Sequence, residues 1–339
     1  MIVNFGTVVT FAGGGDPWHR YVVYQGTSLP WDLAHAGGNV VFFLLFGPAL
    51  VQTLRAEGHE VQSLTEPSWL ELLASARAAV KTKPDALVVV GGDGIVNLGA
   101  NLVAGTKVPL GIIPSGTGND MARGLGIPHD DTEAAIATLA AALQNGPRTI
   151  DAARISFTDD ATGQPAERWF LCALSAGFDA IVNERANNMR NPKGPSRYII
   201  ALMIELAKLK PIAYRLTLDD RVIETPGVLV SLGNSISLGG GMNITPDAKL
   251  DDGLLDVLIV KPLGRAAFLR IFPRVFKGTH VTDPRVRIER AKRVRIEAEG
   301  MVAYGDGERI GPLPIDVEVV PGAVRVLAPN PGPNSVHGG

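Results

Sequence analysis

Two short runs carry residue types suited to phosphate chemistry. One is Gly91-Gly92-Asp93-Gly94, directly after the apolar run 86–90; the other is Pro114-Ser115-Gly116-Thr117-Gly118-Asn119-Asp120, directly after 110–113. Both have the same layout: a buried strand, a glycine-rich turn, a carboxylate, then a helix. Glycines let backbone N–H groups come close to an anion, and the following helix N-terminus adds a favourable dipole. A carboxylate beside an anion repels it unless a cation lies between them, so the pair reads as phosphate plus Mg2+. The implied chemistry is nucleotide-dependent phosphoryl transfer. The first run is neither a Walker A loop nor a dinucleotide G-x-G-x-x-G, and alone it would also suit a tight strand–helix turn. The second run shifts the balance, because two Gly/Asp turns at adjacent strand ends would share one crevice.

The elements that must position these loops can be read from periodicity. From 47 to 151 the chain alternates helix and strand: helix 49–57, strand 61–64, helix 69–80, strand 86–90, helix 96–103, strand 110–113, and helices 120–125 and 132–143. In helix 69–80, Leu70, Leu73, Ala76 and Val80 recur at helical spacing. Asp131 or Thr132 caps helix 132–143, and Gly146 lies beyond its end. Such alternation predicts a parallel sheet covered on both faces, with ligands at the carboxyl ends of its strands. After Asp151 strand-like runs dominate: 153–157, 169–175, 213–218, 222–230, 255–260, 294–298, 301–304, 315–320 and 323–327. Turns such as Asp219-Asp220 and Pro321-Gly322 separate several of them, and one helix, 197–210, is stopped by Pro211. The expected fold class is α/β with two domains. Residues 1–151 form a doubly wound α/β nucleotide-binding domain, 152–328 a mostly antiparallel β-sandwich domain, and 329–339 a disordered tail.

Composition narrows the function. With 46% hydrophobic and 19% charged residues over 339 positions the chain is globular, and a net charge of −2 argues against a general nucleic-acid binder. The single cysteine, Cys172, fits a reducing cytoplasm, and the six histidines show no metal-ligand spacing. No run reaches the roughly 20 apolar residues of a membrane helix, and the first residues lack a secretion signal, so a cytoplasmic location is expected.

The chain resembles the diacylglycerol/sphingosine kinase family of lipid kinases, and within it the soluble bacterial diacylglycerol kinases. The matching stretches are Gly91-Gly92-Asp93-Gly94-Ile95-Val96-Asn97, 114–120 with Met121-Ala122-Arg123, Ile150-Asp151, 174–179, 238–242, 246–256 and Gly305-Asp306-Gly307-Glu308, in the family's order. The resemblance implies an N-terminal domain of the NAD kinase type. It also implies transfer of the γ-phosphoryl group of ATP, with Mg2+, to a lipid hydroxyl, diacylglycerol giving phosphatidic acid. Gly91, Gly92, Asp93, Gly94, Ile95, Val96, Asn97, Thr117 and Thr65 match nucleotide-binding positions. Asp93, Asp120 and Asp151 match carboxylates that organise the catalytic Mg2+, and Glu308 matches the general base. A second, structural Mg2+ would be held by the Asp252 side chain and the carbonyls of Lys249 and Leu254. Glu308 suits its role because an alcohol is a poor nucleophile until its proton is accepted; read without the family, the 305–308 segment is an ordinary hairpin turn.

A lipid kinase must also reach a membrane. Residues 261–295 hold 11 Lys/Arg against Asp283 and Glu289, with Phe268, Ile271, Phe272, Val275 and Phe276 interleaved, as expected of a segment on an anionic bilayer. The alternative is a helix with one buried face followed by strands whose arginines meet solvent. Ile199, Leu202, Met203, Leu206 and Leu209 read as core, with a wall of an acyl-chain pocket as the alternative. The family's Asn-Pro-x-x-Gly phosphate loop has no counterpart: 21–30 offers a strand and a glycine without Asn-Pro, and 40–46 is a substitute strand set too near the next helix. Ile95 stands where threonine is usual and Leu98 where an acid is common. These departures keep an NAD kinase-like enzyme and a catalytically silent lipid- or nucleotide-binding protein in view, and the acceptor stays open to a sphingoid or glycolipid as well as diacylglycerol. Oligomeric state is open, a homodimer being the commonest closed arrangement.

Overall fold

The computed structural model describes Ile2 and Val3 and residues 50–330 apart from 65, 67, 190 and 192–194. The parallel part of the first sheet is made by β1 (Ile2–Val3), β2 (Ser63–Leu64), β3 (Leu87–Gly91) and β4 (Leu110–Pro114), in the order β2-β1-β3-β4. The sheet position next to β3 therefore belongs to β1; segments 21–30 and 40–46, expected to supply that strand, lie outside the described residues. Helices α1 (described over 50–56), α2 (Trp69–Lys81), α3 (Asp93–Val103), α4 (Asp120–Leu125) and α5 (Thr132–Asn145) alternate with these strands. Every residue of β3 and β4 is buried, which is why both read as unbroken apolar runs.

Local chemistry sets the boundaries. Ser68 caps α2 by accepting from the Glu71 N–H, and Asp131 caps α5 by accepting from the Ala134 N–H at 3.0 Å. Helix α3 begins three residues before the position read from periodicity, because Gly92 is its N-cap and Asp93 sits in its first turn, where the dipole favours a carboxylate. In α2 the buried face is Leu72, Ala76 and Val80, whereas Leu70 is 76% exposed. Two residues turn about 200° around a helix, so Leu70 and Leu72 cannot share a face.

From Arg148 onward the chain forms two sheets, so the expected boundary at Asp151 falls inside a strand. Strands β5 (Arg148–Thr158), β6 (Pro165–Phe170), β8 (Ile212–Leu218), β9 (Arg221–Gly227), β13 (Arg293–Glu297) and β16 (Ile315–Leu327) extend the first. The second, in the order β12-β11-β10-β7-β14-β15, comprises β7 (Ala173–Gly177), β10 (Leu229–Gly233), β11 (Leu255–Val260), β12 (Val286–Ala291), β14 (Val302–Gly305) and β15 (Glu308–Pro312). Their facing sides close over a core that includes Ile155, Phe170, Leu216 and Ile296 from one sheet and Leu174, Val230, Leu232 and Val257 from the other, a β-sandwich.

Three sequence expectations are corrected here. Run 169–175 breaks in two at Leu171 and Cys172, whose N–H groups turn to the Asp306 carboxylate. Run 222–230 divides at Val228, and its halves enter different sheets. Pro321-Gly322 is no turn: β16 runs straight through it as a bulge, with Gly322 at φ +65°. Helix α6 (Phe178–Asn188), absent from the sequence reading, precedes α7 (Pro195–Ala207). Helix α8 (Arg265–Ile271) follows, continued by two 3-10 turns, Phe272–Lys277 and Thr279–Thr282. On α7 the expected core divides: Leu206 is buried, while Ile199 and Met203 are 60% and 57% exposed. The helix packs on α6 through one side only, so its opposite side faces out.

Candidate active site

The two Gly/Asp loops touch. The Ser115 N–H donates to the Gly91 carbonyl at 3.0 Å, and a Cβ placed on Gly116 would lie 2.5 Å from the Gly92 Cα. The glycines are therefore required by the approach of one backbone to the other. Asp93 Oδ1 accepts from the Asp120 N–H at 2.8 Å, and both oxygens of Asp120 accept from the N–H groups of Gly240 and Gly241, each at 2.8 Å. The triple glycine 239–241, with φ between +71° and +89°, thus folds over the second loop. Burial pushes the Asp93 carboxyl above the usual carboxylate range, and the neighbouring Asp120 adds to the rise. Two adjoining, largely buried carboxylates are a donor set that a divalent cation would stabilise. Thr117, at the crest of the second loop, is exposed.

The turn carrying Glu308 is brought to the same crevice by Asp306. Its carboxylate accepts from the N–H groups of Leu171 (2.8 Å), Cys172 (2.9 Å) and Ala173 (3.1 Å) and from Asn97 Nδ2 on α3 (3.1 Å). Asp306 is left-handed at φ +48°, and Gly307 follows at +82°, so the chain reverses sharply and starts β15 at Glu308. Burial raises the Glu308 carboxyl above its ordinary value; Arg168 opposes this and Asp306 reinforces it. A raised carboxyl next to Gly307, which lines the cavity with Asp306, is suited to accepting a proton.

A cavity of about 430 Å³ runs from these groups into the sandwich half. Asp93, Asp120 and Asp306 line it at one place, and apolar side chains such as Leu202, Val228, Leu258, Phe268 and Phe272 line most of the rest. Phe178, Phe268, Phe272 and Phe276 form a chain of aromatic contacts beside it, with centroids 4.7, 5.6 and 6.3 Å apart.

Several expected site residues are placed differently. Ile95 and Val96 are buried in the core, and their N–H groups donate to the Gly92 carbonyl, so these two hold the loop's shape and turn no side chain to the crevice. Asn97 spends its amide on Asp306 and the Trp169 carbonyl. Asp151 is 3% exposed and accepts from Gly253 N–H at 2.7 Å and Gly322 N–H at 2.8 Å, fastening the 249–254 loop to the bulge of β16. Asp252 accepts from the Leu254 N–H and is ion-paired with Arg290, which also reaches Asp256 at 3.2 Å. In this structure Arg290 occupies the side of Asp252 that the expected second Mg2+ would share with the Lys249 and Leu254 carbonyls. Thr65 lies outside the described residues. The basic excess of 261–295 also resolves: Arg285, Arg287, Arg290, Arg293 and Arg295 are paired with carboxylates, most of them from outside the segment. The sequence reading missed Asp306 as an anchor, although an aspartate between two glycines, in a run whose neighbours alternate as strands, was the available signal. It also left 239–241 without a role.

Residues 44–155 match the family model described as the diacylglycerol kinase catalytic domain, and residues 172–328 match the YegS C-terminal NAD kinase beta sandwich-like domain. A Mycobacterium tuberculosis protein named diacylglycerol kinase is 43% identical over 256 residues, 75% of this chain and 80% of that protein. A Bacillus subtilis protein of the same name is 27% identical over 269 residues, 78% of this chain and 84% of the relative. Among solved structures, a diacylglycerol kinase from Bacillus anthracis superposes with a TM-score of 0.56 at 24% identity, covering 78% of this chain and 84% of that one, which is a likeness of fold.

Proposed function

The chain belongs to the diacylglycerol kinase family, an ATP-dependent class of lipid kinase, and on that footing we propose that its acceptor is the free hydroxyl of a diacylglycerol and its product phosphatidic acid. The observation that supports this acceptor is the cavity, acidic where it meets Asp93, Asp120 and Asp306 and apolar along the sandwich half. A molecule with one hydroxyl and two hydrocarbon chains matches both parts, and the polar NAD does not match the apolar lining.

Phosphoryl transfer is mostly positioning and charge neutralisation. The loop 91–94 with the N-terminus of α3, and Thr117 on the opposing loop, would cradle the ATP phosphates. Asp93 and Asp120 would hold Mg2+, which when bound neutralises charge developing on the transferred group. Asp120 is itself aimed by two backbone donors, so its side chain is already positioned before any ligand arrives. Glu308 takes the proton of the acceptor hydroxyl as attack begins, and Asp306 holds Glu308 in register with α3. Asp151 acts one step away, by keeping the 249–254 loop against β16. In this reading residues up to 151 serve the nucleotide and 152–328 the lipid. The protein works from the cytoplasmic face of a membrane, meeting it through Lys261, Arg265, Arg270 and Lys277 of the basic segment. No helix among the described residues is long and apolar enough to cross a membrane.

Purified protein incubated with labelled ATP, Mg2+ and diacylglycerol micelles, with NAD in parallel, tests the reading. Label is expected in phosphatidic acid alone. Label in NADP would replace the proposal with an NAD kinase-like activity, and retained nucleotide binding with no labelled product would identify a silent protein.

A further inference from the structure

Eight large apolar side chains are exposed among the described residues, and six of them sit on two adjoining elements. Tyr198, Ile199, Ile200 and Met203 are on α7; Leu269 and Phe276 are on α8 and the 3-10 turn after it. The two elements are joined by Phe268, which packs into the α6–α7 core, and by Arg265, whose guanidinium donates to the Ala207 carbonyl. We propose that the outer face of α7, with Leu269 and Phe276 beside it, inserts into the surface of an anionic bilayer, so that acyl chains pass from the membrane directly into the cavity. The proposal rests on the lipid-kinase reading and adds to it the surface that enters the bilayer.

Three features support this occupant. The first is periodicity. Ile199 and Met203 are four residues apart, and Ile200 and Met203 three apart, so they project on one side of α7, while Leu202 and Leu206, also four apart, form the side that packs inward. One helix thus carries two apolar faces, and only one is covered by protein.

The second is continuity with the cavity. Tyr198 and Leu202 of α7 and Phe268, Ile271 and Phe272 of the α8 region are among its walls. The exposed apolar patch and the apolar lining are opposite sides of the same two elements. Tyr198 belongs to both, exposed with the patch and a wall of the cavity, so a hydrocarbon chain leaving a bilayer beside it would pass from one apolar surface to the other.

The third is charge. Between Lys261 and Thr282 there is no acidic residue, and Lys261, Arg265, Arg270 and Lys277 are exposed. Glu205, the one acid on α7, is buried and paired with Arg185. The arginines from 285 to 295, by contrast, are matched by carboxylates. Four exposed cations without a carboxylate partner thus border the apolar patch, the arrangement of an element lying in the interface of an anionic membrane.

The test uses the full chain and the double variant Ile199→Ser/Met203→Ser, neither residue being a wall of the cavity. Vesicle binding is measured by sedimentation with phosphatidylcholine vesicles containing phosphatidylglycerol. Turnover is measured on long-chain diacylglycerol in those vesicles and on dihexanoylglycerol dissolved as monomer. Vesicle binding and turnover of the embedded acceptor are expected to fall at least tenfold, with turnover of the dissolved acceptor within twofold of the parent. The pair Arg270→Glu/Lys277→Glu should show the same split, and the parent's binding should weaken with added salt. Unaltered vesicle binding by the apolar variant overturns the proposal, as does an equal loss on both acceptors. Dissociation of a parent dimer by that variant, with vesicle binding unchanged, would assign the face to a second copy and also overturn it. A parent protein that phosphorylates neither lipid would reject the kinase reading, while the sedimentation result would still decide the surface.

Discussion

At the scale of residues, the carboxyls of the site are held under different constraints. Asp120 and Asp306 are saturated by backbone donors, whereas Glu308 is held by position and raised mainly by burial. A general base works only when deprotonated. Raising its pKa therefore moves the acid limb of the rate profile upward, and kcat should decline as pH falls through a value above that of an ordinary glutamate. Glu308→Gln should remove that limb and lower kcat by about 10²–10⁴, the range for a lost acid–base group. ATP affinity, read by calorimetry, should stay within a few-fold; turnover equal to the parent would dismiss the assignment. Asp93→Asn should lower kcat by about 10² and raise the Mg2+ concentration needed for half-maximal rate, because one anionic donor of the pair is lost. An unchanged Mg2+ titration would count against its role. Asp93 and Asp120 were legible in the sequence because aspartate directly after a glycine turn is chemically odd. The engagement of Asp151 elsewhere was not legible, since its partners are the backbone N–H groups of Gly253 and Gly322, which no residue type announces.

At the scale of elements, the site depends on two turns meeting without side chains between them. Gly116→Ala would force a Cβ to within 2.5 Å of the Gly92 Cα, a contact backbone cannot absorb. It should lower kcat/KM for ATP at least about tenfold, equivalent to ~1.4 kcal/mol, and far more than it lowers Tm. Asp306→Asn should slow turnover and reduce stability by about 1–3 kcal/mol, because an amide group would then face buried N–H donors. Near the cavity, the 3-10 turn Thr279–Thr282 ends at Asp283, whose carboxyl is lowered to about 2, chiefly by Arg285. A depressed carboxyl stabilises the fold above its unfolded value of 3.8 and ceases to as pH falls toward 2. The Tm difference between the parent and Asp283→Asn should therefore be present at neutral pH and vanish across that interval; a gap that persists at pH 2 would refute the assignment. Periodicity located most helices and strands, since β3 and β4 are uniformly buried and α5 has both caps. It failed where burial is one-sided or pairing is remote. Leu70 faces solvent on an otherwise amphipathic helix, and the break at Val228 follows from which sheet each half joins, a decision made by strands far away in sequence.

At the scale of the whole molecule, the nucleotide loops and the Glu308 turn lie over 180 residues apart in the chain and are joined by one hydrogen-bonded link, Asn97 to Asp306. The sandwich class was legible from the density of strand-like runs; the assignment of β16 to the nucleotide sheet was not. That strand pairs antiparallel with β5 and β13, and its last residues, Val326 and Leu327, lie parallel to Leu110 and Gly111 of β4. The consequence concerns birth on the ribosome. The half that contains both glycine loops is synthesised first, yet β4 has an unpaired edge until residue 327 has emerged. At 5–20 residues per second the delay over those roughly 200 residues is about 10–40 s. Through that time a wholly apolar strand presents open N–H and C=O groups, a template for pairing with other chains. A nascent chain stalled before β16 should accordingly be captured by chaperones and be sensitive to protease in its first half, and release of the complete chain should abolish both. Protease resistance of the stalled first half equal to that of the finished protein would show that β4 needs no partner from the C-terminal end.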